Sequence, residues 1–391
     1  MTRRICIVTG TRAEYGLLRG VIERVREAPA LELQLVVTGM HLAPEFGRTV
    51  REIEADGHPI AARIDMLLSS DTAGGITKSM GLGLIGFADT FERLKPDLLV
   101  ILGDRFEIFV AAAAAAVAAV PIAHLHGGES TEGAFDEAFR HSITKMSHLH
   151  FVAAEPYRRR VIQLGESPDR VFLVGGLGID AIEGVKLLDR GELEAALGFK
   201  FAASNLLITF HPVTLEGGSG PAQMTELLAS LAPLQQTRLI FTMPNADTEG
   251  RELARMVAAF CDAHDNARCF ASLGQRRYLS CLKQVDGVVG NSSSGLTEAP
   301  SFGIGTVNVG NRQAGRLKAA SVIDCAPERA SIGAAIATLL SAQFKRTAAL
   351  TVAPYGVAGA SRKIVDTLHR LSYEGLLKKR FHDLPSSEWS S

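Results

Sequence analysis

Short apolar runs recur along this chain, each pair separated by room for one helix, and that alternation leaves few architectures open. In the first half the runs are Ile5–Thr9, Leu33–Thr38, Leu98–Leu102, Ile122–Leu125, Leu149–Ala153 and Val171–Val174. In the second half they are Leu206–Phe210, Leu239–Thr242, Arg268–Phe270, Val288–Val289 and Thr306–Val309. Amphipathic or alanine-rich stretches separate them. Strands that are apolar throughout and joined by helical crossovers belong to parallel sheets covered on both faces. With 391 residues the chain is long enough for two such units, each with its own core. We therefore expect an α/β protein of two Rossmann-like, doubly wound domains. The boundary is expected where the strands pause and a charged helix, Leu187–Leu197, intervenes. That gives an N-terminal domain over residues 1–185 and a second over 186–360. In the remaining segment, 361–391, a helix over 361–379 is expected to pack back on the first domain, and the Ser-rich tail from Pro385 to fray.

Several function classes are disfavoured at once. The net charge of −1 offers no basic surface for nucleic acid. The five cysteines, Cys6, Cys261, Cys269, Cys281 and Cys325, are scattered, which argues against a zinc site or a disulfide framework and fits a reducing cytoplasm. No signal peptide is predicted, because the chain runs straight into a strand. The apolar stretch Ile108–Ala123 is short, is interrupted by Pro121 and starts beside Asp104, Arg105 and Glu107. It reads as a buried helix and a buried strand rather than a membrane span. Gly81-Leu-Gly83-Leu-Ile-Gly86 matches a dinucleotide fingerprint but lies inside a helical stretch with no preceding strand, so it reads as close helix packing. His141, His148 and His150 lack the carboxylate or thiol companions of a metal site, and His148 and His150 read as packed or surface residues.

In sheets of this kind, ligands sit beyond the carboxyl ends of strands, and polar motifs gather there. Gly10-Thr-Arg12-Ala-Glu-Tyr15, Gly103-Asp104-Arg105-Phe-Glu107, His124-Leu-His126-Gly-Gly-Glu129, His211-Pro, Met243-Pro-Asn245 and Asn291-Ser-Ser-Ser-Gly-Leu-Thr-Glu298 each follow an apolar run. In the last of these, a strand delivers small hydroxyl residues into a helix start. Free N–H groups at the positive end of a helix dipole suit an anion such as a diphosphate. Glu298, about one turn on, can accept hydrogen bonds from ribose hydroxyls. The plainer alternative is a Ser N-cap. Asp104, Glu129 and Asp136 offer carboxylates for acid and base work. Caps at Phe106 and Glu137 are the alternatives for Asp104 and Asp136.

Taken in order, these motifs together with Asp-Glu-Ala-Phe-Arg-His-Ser-Ile-Thr-Lys (136–145), Ser-Leu-Gly-Gln (272–275) and Gly-Asn-Arg-Gln-Ala-Gly-Arg (310–316) resemble the hydrolysing UDP-N-acetylglucosamine 2-epimerases of bacterial sialic acid synthesis. The resemblance runs from about Ile5 to Arg316. It implies a fold similar to glycosyltransferase type B with an interdomain cleft, no metal and no nicotinamide, and often a homodimer. It implies that Arg12, Arg105, Asn245, Leu273, Ser292, Ser293, Glu298 and Arg312 hold UDP, with the backbone at Leu273 reading uracil and Glu298 the ribose. His211 resembles the family's catalytic histidine, and Asp104, Glu129 and Asp136 its acid/base set. Relatives place a catalytic glutamate where His126 stands, so either Glu129 serves or His126 takes part of that role. At Gly16, some relatives carry a serine that touches UDP.

The implied reaction is UDP-N-acetylglucosamine plus water giving N-acetylmannosamine plus UDP. The C2 hydrogen is barely acidic until the C1–O bond to UDP breaks. Anti elimination to a 2-acetamidoglucal followed by hydration then inverts C2. A branch of the family performs the same chemistry on UDP-2,4-diacetamido-2,4,6-trideoxyglucose. Residues 131–135 and the loop 214–220 are the candidate readers of the positions that differ. A type B glycosyltransferase and a UDP-sugar sensor are the alternatives; the acidic set favours the epimerase over the first, and the density of charged groups over the second.

Overall fold

The computed structural model describes residues 2–385 except 69, 71, 131–135, 213–217, 244–249 and 357. Two compact units divide the chain: one formed by Met1–Glu129, Asp136–Ala181 and Tyr355–Ser391, the other chiefly by Ile182–Pro354. In unit 1 the strands are β1 (Arg3–Thr9), β2 (Leu31–Thr38), β3 (Ile60–Ile64), β4 (Leu98–Leu102), β5 (Ile122–Leu125), β6 (Leu149–Val152) and β7 (Val171–Leu173). They form one sheet in the order β3-β2-β1-β4-β5-β6-β7, parallel throughout. Unit 2 carries β8 (Ser204–Thr209), β9 (Thr237–Thr242), β10 (Ala267–Phe270), β11 (Gly287–Gly290), β12 (Gly305–Val309) and β13 (Val322–Cys325). Their order is β10-β9-β8-β11-β12-β13, again all parallel. The expected α/β architecture of two parallel sheets is present.

Side chains along a strand alternate between faces. Ile5 and Ile7 enter a core with Leu18, Ile22 and Val25 on one side of the sheet. Cys6 and Val8 enter another with Phe87, Ile108 and Ala111 on the opposite side. Unit 2 repeats the pattern: Leu206 and Ile208 go to one core and Leu207 to the other. Both faces are dry, which is why these strands read as unbroken apolar runs. Each Ile or Leu buried this way contributes about 1.5–3 kcal/mol.

The stretch from Ile108 divides as expected into helix Phe106–Val117 and strand β5. The described residues contain no helix long and apolar enough to cross a membrane. Helix Ala73–Leu94 contains the Gly-x-Gly motif; Gly83 and Gly86 are packing contacts, whereas Gly81 is exposed and a Cβ on it would meet nothing within 4 Å. A Cβ on Gly83 would lie 3.0 Å from Val110 and 2.9 Å from Met66, and one on Gly86 would lie 2.5 Å from Ile64.

Two helix bounds differ from expectation. The charged helix is Arg190–Leu197 rather than 187–197, because Asp189 and Glu192 form a reciprocal capping box that starts it. The last helix is Ala360–Arg370 and stops well short of 379. The Arg3 guanidinium donates to the carbonyls of Leu368 (3.1 Å), His369 (3.1 Å) and Leu371 (2.9 Å) and so closes its C-terminus. At the other end Asp180 accepts from the N–H groups of Gly359 (2.5 Å), Ala360 (3.0 Å) and Ser361 (2.5 Å), a carboxylate where the helix dipole favours one. Between these clamps Ile364, Val365 and Leu368 join the core that also holds Leu18 and Ile22 of helix Arg12–Glu27.

Candidate active site

In unit 1 the polar turns sit beyond β1, β4 and β5. After β4 the chain turns at Gly103, and Asp104 precedes helix Phe106–Val117. The N-cap of that helix is Arg105 with no side-chain cap bond, so Asp104 is not its cap. Asp104 instead makes an ion pair with Arg140 of helix Asp136–Met146. After β5, His126 takes the left-handed conformation (φ 63°) and Gly128 does the same (φ 76°). A Cβ on Gly128 would fall 2.4 Å from the Tyr157 carbonyl, so only glycine fits. This turn delivers Glu129 next to the same arginine, with Arg140 Nη1 4.0 Å from Glu129 Oε2 and both side chains 3% exposed.

Arg140 Nη1 also donates to the His126 carbonyl at 3.0 Å. His126 Nδ1 lies 2.8 Å from Glu129 Oε1, and its Nε2 accepts from the Leu177 N–H at 3.3 Å. With Nε2 an acceptor, Nδ1 carries the ring proton. His126 and Glu129 thus form one close pair. Asp136 is the first residue of its helix rather than the cap of one beginning at Glu137, and it shares a face with Arg140, four residues on. Arg140 lies within a motif the sequence singles out, but nothing local to it marks it as the residue that joins Asp104 to Glu129. Behind this cluster, burial holds His124 down to about 3, and its Nε2 donates to the Gly103 carbonyl at 2.8 Å.

Arg12 opens helix Arg12–Glu27 beyond β1. Beside it Glu14 accepts from the N–H groups of Gly10 (2.8 Å) and Thr11 (3.2 Å) in a capping box. Arg105 Nε donates to the fully buried Glu107 at 3.3 Å. Burial, then the proximity of Glu107, pushes the Glu14 carboxyl up to about 8 from its ordinary 4.5, against the lowering by Arg105 and the two N–H donors. The folded state therefore binds this proton more tightly than the unfolded chain does. The stabilisation is fully present below about 4.5 and is lost as pH rises through about 8. Glu14→Gln keeps the cap without the ionisation. Its melting temperature relative to wild type is expected to rise between about pH 5.5 and about pH 8.5. A difference that stays flat across that range would show that Glu14 does not titrate on folding.

In unit 2, β11 ends at Gly290 with φ 135°, where a Cβ would lie 2.0 Å from the Thr209 carbonyl. Asn291 follows, then Ser292 and Ser293. Among the described residues the N–H groups of Ser292, Ser293 and Ser294 meet no acceptor. The helix after them is only Ser294–Thr297, because Pro300 lies just beyond and the chain continues as a 3₁₀ turn over Ala299–Phe302. Local N–H groups, rather than a long dipole, are what this turn offers an anion. Ser293 is the N-cap residue but makes no side-chain cap bond, so its hydroxyl is not spent on the helix. Tyr278 donates to Ser294 Oγ at 2.6 Å, and Glu298 lies one turn past Ser294.

Leu273 precedes helix Gly274–Gln284. Its side chain is in the core, its carbonyl accepts from Arg277 Nε at 2.7 Å, and its N–H meets no acceptor among the described residues. His211, buried beyond β8, and Arg312 both bond to Asn291. Asn245 and residues 131–135 lie outside the described residues, as does most of the loop 214–220. No group of three His, Cys, Asp or Glu side chains suited to a metal occurs among the described residues.

Two parallel α/β units with polar turns beyond their strands define a fold of the glycosyltransferase type B-like class. The profile of the family described as UDP-N-acetylglucosamine 2-epimerase matches residues 23–369, and the chain belongs to that family. A Campylobacter jejuni relative named GDP/UDP-N,N'-diacetylbacillosamine 2-epimerase (hydrolyzing) is 41% identical over 98% of this chain and 99% of its own length. Polysialic acid biosynthesis protein P7 of Escherichia coli is 38% identical over 98% of each chain. The crystal structure of UDP-GlcNAc 2-epimerase from Neisseria meningitidis bound to UDP-GlcNAc superposes with a TM-score of 0.82 at 18% identity, covering 94% of this chain and all of that one, a likeness of fold.

Proposed function

We propose that this enzyme is a hydrolysing 2-epimerase of a UDP-2-acetamido sugar, converting UDP-N-acetylglucosamine and water to N-acetylmannosamine and UDP. The observation that carries the proposal is the cluster in which Arg140 gathers Asp104 and Glu129. A transferase that only moves a sugar to an acceptor has no need of it. In the proposed reaction the C1–O bond to UDP breaks as a carboxylate takes the C2 proton, and a 2-acetamidoglucal forms. Water then adds its oxygen to C1 while a proton reaches C2 from the opposite face. Asp104, Asp136 and the His126–Glu129 pair are the groups proposed to exchange these protons. The Ser292–Ser293 turn, Arg12, Arg105 and Arg312 are proposed to take the diphosphate, whose developing charge they stabilise. Glu298 is proposed to hold the ribose, and the backbone at Leu273, with Asn245, the nucleobase side. His211 is assigned to the leaving oxygen.

Turnover in heavy water, with no acceptor present, is expected to release UDP and place deuterium at C2 of the product. A product carrying only protium at C2 would exclude the elimination route. UDP-sugar left intact without an acceptor would point to a transferase. A second reading is favoured by the 41% identity with the diacetylbacillosamine enzyme over nearly the whole chain. It assigns UDP-2,4-diacetamido-2,4,6-trideoxyglucose as the substrate of the same chemistry. Mass spectrometry of the products from both UDP-sugars decides between the two.

A further inference from the structure

We propose that Asn291 is a positioning residue, whose side chain fixes His211 for the reaction while its backbone supports the diphosphate turn. Asn291 is fully buried at the end of β11. Its Oδ1 accepts from the His211 N–H at 2.7 Å and its Nδ2 donates to the His211 carbonyl at 2.8 Å. The two bonds form a closed clamp on the backbone of a residue 80 positions earlier in the chain. The Asn291 N–H donates to the Thr209 carbonyl at 3.1 Å, which ties the exits of β8 and β11 together. Its carbonyl accepts from Arg312 Nη1 at 3.1 Å and from Gln313 Nε2 at 2.8 Å. The next residue, Ser292, begins the turn with the unclaimed N–H groups.

Only an asparagine suits this place. Aspartate matches it in shape but cannot donate to the carbonyl, glutamine is one methylene too long, and serine lacks the paired donor and acceptor. Pro212 follows His211 and has no N–H of its own to anchor the strand exit. The clamp therefore sets the direction in which the imidazole leaves the backbone. An error of about 1 Å in a reacting group costs on the order of 10²-fold in rate. Because a side-chain substitution leaves the Asn291 carbonyl, Arg312 and the serine turn in place, binding and turnover should separate.

The inference rests on the role assigned to His211, and a double-mutant cycle separates the two. Asn291→Ala is expected to lower kcat by about 10²-fold and leave the Kd for UDP, measured by calorimetry, within about threefold. In the background of His211→Ala the same substitution is expected to cost nothing further. A deficit that persists in that background, or a loss of UDP affinity in proportion to kcat, would overturn the positioning role and leave His211 untouched. Unchanged turnover in His211→Ala alone would remove the assignment of His211 and the inference with it. Should Asn291→Ala fail to fold, the isosteric Asn291→Asp carries the same cycle. It keeps the bond from the His211 N–H and loses the one to its carbonyl, and its kcat deficit must likewise vanish in the His211→Ala background.

Discussion

Replacing Asp104 by asparagine is expected to lower turnover at least about 10²-fold while UDP affinity stays within a few-fold of wild type. The substitution keeps size and leaves an oxygen to accept from Arg140, but it removes the group that can take and return a proton. A loss of that size corresponds to about 2.7 kcal/mol of barrier. Ser292, Ser293, Glu298 and Arg312, proposed for UDP, belong to unit 2, and Arg105 of unit 1 is held by Glu107 rather than by Asp104, so a change at Asp104 should leave these contacts in place. Steady-state kinetics and calorimetric titration with UDP check both halves. Affinity and turnover falling together would mean that Asp104 serves binding, and its acid/base role would be lost.

Arg140→Met should be the most damaging single change in unit 1. Arg140 is buried between Asp104 and Glu129 and donates to the His126 carbonyl. Removing one member of a buried ion-paired set leaves charges without a counter-ion and costs about 3–5 kcal/mol. The melting temperature is expected to fall by roughly 10 °C, and turnover to fall with it. Arg140→Lys restores the charge but not the planar fork that spans separate acceptors, so it should recover part of the stability and little of the activity. An Arg140→Met protein melting within about 2 °C of wild type would show that the carboxylates do not depend on the arginine.

The sheet interiors were legible because both faces of each central strand are dry. The two strands the sequence did not announce, β3 and β13, are both at sheet edges. Their residues are mostly half-buried, so neither leaves a continuous apolar run, and an edge strand answers only to one neighbour. The turns beyond the strands were legible as polar motifs. What joins them was not. Arg140 finds Asp104 36 residues away, and Asn291 finds His211 80 residues away. Neither pairing leaves a local pattern, because both follow from the order in which strands lie side by side.

The clamps on helix Ala360–Arg370 bear on how the chain is made. Leu18, Ile22 and Val25 share a core with Ile364, Val365 and Leu368, and all of unit 2 is synthesised between the two sets. The ribosome must therefore deliver all of unit 2 before the first unit can bury that strip. Until then the nascent first unit carries an unsealed greasy seam, the kind of surface that holds a chaperone during translation.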